Sequence, residues 1–319
     1  MMLLREGTQP FPLIDEIWPG EDGVGYALRM ATQNALTFHQ LASHLASPGH
    51  RYLPNSAASE LAFMFGASTL KVANAIVARH RRGNVVEAEF LSHTFHRAKH
   101  LRQAHPQVCP LCLQEGGHAR ASWSITLVCC CTVHKTALID RCGCGRPLSW
   151  RRKNLQTCEC GSDFLDHMQV MQPAPGGALA ICKQIETLLG FTTFRLHPES
   201  DWISRFDAIS VDTFLRLIWI LGNRASTKHP SIATSSNGIV DSTTARQVTE
   251  TAYDELKQLA NGSILLRRTM RTAIEAIRQD ATTVPDRQLL DSLLLRITRP
   301  VASGRVLAGQ RSVQLALFE

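Results

Sequence analysis

Four close pairs of soft metal ligands lie between Cys109 and Cys160, and they constrain this chain of 319 residues more than any other feature. Cys109 and Cys112 bound CPLC, Cys131 and His134 bound CTVH, Cys142 and Cys144 bound CGC, and Cys158 and Cys160 bound CEC. The first two pairs read C-x2-C-x18-C-x2-H and the last two C-x-C-x13-C-x-C. Each tight turn presents two donors to one ion, and two such turns brought together complete the tetrahedral sphere that zinc prefers. An isolated cysteine is ordinarily a small buried hydrophobe. Regular pairing, with Gly143, Gly145 and Gly161 where turns need them, predicts two structural zinc ions instead. Eight donors close both spheres and leave no position open for water, which distinguishes a structural zinc from a catalytic one.

Residues 129–134 read CCCTVH, so three adjacent thiols compete for one ligand position. Cys131 repeats the two-residue spacing of CPLC toward His134 and is the expected ligand; Cys130 in its place would need a longer turn. Cys129 and Cys130 continue WSITLVC (Trp123–Cys129), which reads as a strand with one of them facing inward. Cys182, in a helical ICKQIETLL stretch, reads as core. Sequential pairing of the four turns is preferred to a cross-braced one. Each half then has its own apolar stitches: Trp123, Ile125 and Leu127 in the first, Leu148 and Trp150 in the second.

The opening MMLLREGTQPFPL has no basic start followed by a long apolar stretch, so no secretory leader is expected. In the reducing cytoplasm that follows from this, ten cysteines point to metal before disulfides. No apolar run approaches a membrane span. The formal charge of +7 is weak evidence for nucleic acid, because thiolate ligation of zinc subtracts from it. Catalytic signatures are missing: H-x-E occurs only as HPE at His197–Glu199, after the cysteines, where a zinc deaminase needs it before them. There is no GxxxxGK[ST], GxSxG or HExxH. A non-enzymatic protein is expected.

The flanks read as helical, giving a mainly α fold with helix-turn-helix-like flanks around a small zinc-ribbon-like module carrying two zinc sites. The expected domains are 1–107 (N-terminal helical), 108–170 (double zinc finger) and 171–319 (C-terminal helical). One helix, or two, covers Val24–Ala46. In Ala57–Arg82, Gly66 ends one helix and Ser68 caps a second that starts near Thr69 and carries Lys71, Asn74 and Arg79. A plain helical hairpin has the same pattern. His93, His96 and His100 stand at helical spacing in the basic stretch Arg79–Arg102, and a second basic cluster spans Arg141–Lys153. Lys71, Arg79, Arg81, Arg82, Arg146, Trp150, Arg151, Arg152 and Lys153 are the candidate contacts to nucleic acid or a partner. After an APGG linker, helices are predicted over Ala178–Leu189, Val211–Gly222, Thr243–Leu259, Ser263–Gln279 and Asp286–Ile297, with a polar break at Lys228–Gly238 and a tail at Arg299–Glu319.

The run VCPLCLQEGGHARASWSITLVCCCTVHKTALIDRCGCGRPL, followed by CECGSDF, resembles the TniQ family, which includes TnsD-type target selectors of transposons. The family's CPxCL turn falls on Cys109–Leu113, its tryptophan on Trp123, its C-x2-H turn on Cys131 and His134, and its last turns on Cys142–Gly145 and Cys158–Gly161. PGEDGVGYALRMA (Pro19–Ala31) resembles the family's PGES-x-SWL-x-RLA opening, with Asp22 and Gly23 in the serine region and Tyr26 near the usual tryptophan. The resemblance implies a bacterial, cytoplasmic, non-enzymatic adaptor in transposition. Such an adaptor recognises a target on DNA or through a CRISPR effector complex (Cascade) with its guide RNA, and recruits an AAA+ ATPase regulator. It also implies that a homodimer forms on an effector complex. A self-sufficient sequence-specific DNA-binding protein is the alternative.

Overall fold

Asp22 starts the first helix, its Oδ1 accepting from the amides of Val24 and Gly25 at 2.9 Å each. An aspartate and a serine serve equally well at an N-cap, so the departure from PGES keeps the local chemistry. The computed structural model describes residues 9–45, 51–166, 172–191, 203, 206–223, 240–260 and 268–298. The polar break Lys228–Gly238, the tail Arg299–Glu319 and the HPE triplet lie outside them, as do residues 263–267 of one expected helix. Helix α1 spans Gly23–Gln33 and α2 Phe38–His44, the latter opening on a Thr37/Gln40 capping box. Gly23 is required by packing, since a Cβ there would lie 2.4 Å from Ile76 Cγ1 and 2.8 Å from the Ala75 carbonyl.

Helices α3 (Ala58–Phe65) and α4 (Thr69–Ala75) are joined by Gly66–Ser68. Gly66 takes φ 71°, and the Ala67 amide donates back to the Ala62 carbonyl at 2.8 Å, closing the helix end. Two helices joined by a tight turn are therefore present, as both the helix-turn-helix and the plain hairpin readings require, but α4 stops at Ala75 and does not carry Arg79. The backbone becomes extended at Ile76, and a three-stranded antiparallel sheet follows: β1 (Ala78–Arg82), β2 (Val85–Phe90) and β3 (His93–Phe95). This corrects the helical reading of Arg79–Arg102. The reason is legible afterwards: VVEAEF alternates, with Ala88 and Phe90 buried and Glu89 exposed, and the two-residue Gly83–Asn84 loop closes the Arg82↔Val85 pair. His93 lies in β3, His96 follows it, and His100 is fully buried, so the three share no helix face.

Helix α5 (Pro110–Gly116) and the two-residue strands β4 (Cys130–Cys131) and β5 (Thr136–Ala137) follow. Trp123–Cys129 is not a strand. Ala121–Ser124 forms a 3-10 turn, and the run is buried throughout. Its carbonyls find a side chain in place of a partner strand: buried Gln107 Nε2 donates to Trp123 O and Ile125 O at 3.0 and 3.2 Å and lies against Val128 O.

The remaining helices are α6 (Gly176–Leu188), α7 (Val211–Gly222), α8 (Ser242–Ala260), α9 (Arg268–Asp280) and α10 (Val284–Thr298). One buried cluster runs from Ile17 to Leu293. Polar ties cross the same ground. Buried Glu186 of α6 accepts from Ser122 Oγ at 2.7 Å and Thr132 Oγ1 at 2.5 Å, while His96 Nδ1 meets Asp212 of α7 at 3.0 Å. Single β-bridges join Glu21 to Arg120, Val108 to Ile139 and Thr136 to Pro173. No helix among the described residues is long and apolar enough to cross a membrane.

Candidate metal centres

Helix α5 starts on the first ligand pair. Cys109 is its N-cap, Pro110 fills the first helical position where no amide hydrogen is needed, and Cys112 sits in the first turn. Cys131 and His134 occupy the turn between β4 and β5, where Lys135 takes φ 54° and the His134 amide donates to Cys131 Sγ at 3.3 Å. Folding brings the two pairs together. His134 Nδ1 lies 3.5, 3.2 and 3.6 Å from the Sγ atoms of Cys109, Cys112 and Cys131, and Cys112 Sγ lies 3.5 Å from Cys131 Sγ. Zinc–sulfur and zinc–nitrogen bonds of about 2.3 and 2.0 Å put neighbouring donors of a tetrahedron about 3.5–3.8 Å apart. The donor set fits a metal of that size.

His134 Nε2 meets Glu115 Oε2 at 2.9 Å. A carboxylate on the far nitrogen fixes the tautomer that leaves Nδ1 free as a donor and makes it a stronger one. The thiols alone cannot all ionise. Hydrogen bonds from Cys112 and Cys131 hold the Cys109 thiol far below its ordinary value, while the same exchange with Cys109 pushes Cys112 up. Only a cation between them lets three thiolates coexist.

The second site is built from one turn used twice. The Cys142 amide donates to Arg146 O and the Gly145 amide to Cys142 O; the Cys158 amide donates to Ser162 O and the Gly161 amide to Cys158 O, all at 2.9 Å. Gly145 and Gly161 take φ 83° and 91°. Flanking bonds match too, Leu148 N to Asp140 O and Phe164 N to Gln156 O, and so do the bridges Arg141↔Pro147 and Thr157↔Asp163. Every partner is offset by 16 residues, between DRCGCGRPL and QTCECGSDF. In each copy the first cysteine is buried and the second exposed, and Cys142 Sγ lies 3.7 Å from Cys160 Sγ. All four donors of each site lie within 4.8 Å of one another, and the pairing is sequential.

Cys129, Cys130 and Cys182 form a third group within the same limit, all fully buried. It supplies three donors, two of them successive residues, and its next neighbour is the Thr249 hydroxyl, 3.4 Å from Cys129 Sγ. A closed tetrahedral sphere needs four good donors, so these thiols serve as packing between β4, α6 and α8. Both Cys129 and Cys130 face inward, one more than expected.

The candidate contacts separate. Lys71, Arg79, Arg81, Arg82, Arg146, Arg151 and Lys153 are exposed. Lys71 Nζ reaches Glu16 at 3.3 Å, and Arg82 lies 3.8 Å from Glu87. Trp150 and Arg152 are corrected: at 3% and 1% exposure they have no surface to offer a partner. Trp150 Nε1 instead donates to Gln103 O at 2.8 Å. Sequence reasoning passed over Gln107 and Glu115. Glu115 carried a usable signal, three residues beyond Cys112 on the helix that the CPLC turn begins.

Two four-donor clusters set in a largely helical frame could each hold a metal ion, and that is the class of site the fold defines among the described residues. Residues 12–138, about two-fifths of the chain, match the family model described as TniQ, so this stretch is similar to that family. The matched stretch includes the PGE segment, the α3–α4 pair with its sheet and the whole first cluster, and ends before the second. No curated protein matches the chain.

Proposed function

We propose that the chain is a non-enzymatic target-selection adaptor. It holds two structural zinc ions, one on Cys109, Cys112, Cys131 and His134 and one on Cys142, Cys144, Cys158 and Cys160, and links a target-recognition complex to an AAA+ transposition regulator. The family match over residues 12–138 carries this reading, because it joins the PGE segment and the first metal site in one assembly. Exposed Leu13, Ile14 and Trp18 beside that segment supply the apolar contact a protein partner needs. The test is association with the cognate AAA+ ATPase, with and without a Cascade complex and its guide RNA, together with insertion assays. No association and no loss of insertion on deletion of the chain would sink it.

One observation favours direct contact with target DNA as a second reading. The sheet that follows the α3–α4 pair places Arg79, Arg81 and Arg82 on the exposed strand β1, with Lys71 exposed on α4. Specific binding by the protein alone, falling steeply with salt in proportion to the phosphates contacted, separates this mode from recruitment. Size measurements on the free chain and on the effector complex test for a homodimer.

A further inference from the structure

Arg152 is the largest of the fully buried side chains among the described residues, and none of its three guanidinium nitrogens has a hydrogen-bond partner. Buried charges are ordinarily paired, because an unpaired one forfeits its hydration with nothing in return. No carboxylate among the described residues accepts from it. Its guanidinium carbon lies 5.3 Å from the ring centre of Trp150 and 5.2 Å from that of Phe164. Phe164 belongs to the second copy of the repeated turn, and Arg152 falls between the two copies in sequence. Burial pushes its pKa down to about 9, and the Cys158 thiol is the one group opposing that shift.

Four thiolates around a divalent ion carry a net charge of two minus. Resting on the metal assignment above, we propose that Arg152 is the countercharge of a metal–tetrathiolate centre on Cys142, Cys144, Cys158 and Cys160, a cation kept in a dry aromatic sleeve to offset that charge. The missing partner is then the centre itself. This also accounts for the aromatic walls, which stabilise a planar cation on its faces without supplying a competing anion. The first site has a histidine in place of one thiolate and carries one negative charge less, and its outer partner is the carboxylate of Glu115. The two sites thus differ in their outer partners: a cation for the four-thiolate set, and a carboxylate that orients the histidine of the other.

The test uses the full chain loaded with cadmium-113, whose NMR signal separates a four-sulfur site from one with three sulfurs and a nitrogen. Wild type, Arg152→Met and Arg152→Lys are titrated with a chelator. Arg152→Met is expected to weaken the four-sulfur site about tenfold, the low end of outer-partner losses because Arg152 acts through its charge and donates no hydrogen bond to a ligand, and to leave the other site unchanged. Arg152→Lys should fall between. A second measurement separates charge from packing: stripped of metal, Arg152→Met should melt higher than wild type, because the orphaned cation is gone. Equal affinities in wild type and Arg152→Met, or parallel losses at both sites, would overturn the proposal and leave the metal assignment standing. So would an Arg152→Met protein that melts lower when stripped. Absence of any four-sulfur signal in wild type would overturn both.

Discussion

Replacing Arg29 with methionine tests whether the PGE segment is held by a buried charge clamp. Arg29 Nε and Nη2 donate to the two carboxylate oxygens of Glu21 at 2.8 and 2.9 Å, Nη1 donates to Asp15 Oδ2 at 2.7 Å, and Nη2 also reaches Glu16 O at 3.2 Å. The guanidinium lies 4.1 Å from the centre of the Trp18 ring. Burial works against this charge, and the hydrogen bonds to Glu21 override it. The Glu21 side chain is 0% exposed and Asp15 is 41% exposed, so the pair with Glu21 decides the cost. Methionine keeps much of the volume but strands a buried carboxylate, a loss of about 3–5 kcal/mol. Glu21→Gln leaves Arg29 its contacts to Asp15 and Glu16 and should cost about 2–3 kcal/mol. In the double variant neither charge is stranded, so the combined loss should fall short of the sum by about 2 kcal/mol. Denaturant midpoints of the metal-loaded chain measure all three, and salt should change the coupling little because the pair is dry. Additive losses, or an Arg29→Met loss below about 1 kcal/mol, would refute the reasoning.

Metal analysis should find two zinc ions per chain in wild type and one in Cys109→Ser or Cys158→Ser, while Cys182→Ala leaves the count at two. Glu115→Gln should weaken the first site about tenfold in chelator competition and spare the second. Burial lowers His100 to about 4, so between roughly pH 6.5 and pH 4 the unfolded chain binds a proton that the folded chain refuses. Stability therefore falls with pH by on the order of 3 kcal/mol, and His100→Gln should flatten that part of the pH–stability curve. Reversing Arg79, Arg81 and Arg82 to glutamate should leave the melting temperature within a few degrees of wild type and abolish salt-dependent DNA retention; unchanged retention would remove β1 from the interface.

The ligand turns were legible because their chemistry is local: two donors, a short spacer and a glycine specify the turn whatever surrounds it. The helix end at Gly66 was readable for the same reason, while Ser68 stands at the N-cap of α4 without a side-chain hydrogen bond to it. What surrounds the turns decided the rest. Trp123–Cys129 has the composition of a strand, yet a strand needs a partner edge, and whether the Gln107 amide supplies the bonds instead depends on a side chain some twenty residues away in sequence. The basic stretch after α4 was read by the spacing of its histidines, while the alternation in VVEAEF and the Gly83–Asn84 loop held the stronger signal. Arg151 and Arg152 are identical in type and adjacent, and only tertiary packing sends one to solvent and the other between Trp150 and Phe164.

The placement of the first site bears on the adaptor role proposed above. A zinc finger on a tether could swing between partners. Here the β4–β5 turn that carries Cys131 and His134 is tied by Thr132 to Glu186 of α6, and Arg120, just beyond α5, bridges to Glu21 of the PGE segment. Asp22 closes the connection, capping α1 with one oxygen and accepting from Ser124 Oγ at 2.6 Å with the other. Burial raises its pKa to about 6, so at neutral pH the folded chain keeps this carboxylate ionised against its environment. The Ser124 hydroxyl and two helix amides offset that cost only while the first metal site and α1 stay in register. Removing the metal should therefore loosen the PGE segment as well as the β4–β5 turn, and hydrogen exchange at Val24 and Gly25 should rise on chelation. Exchange there that ignores the metal would mean that the two ends of the matched stretch are independent.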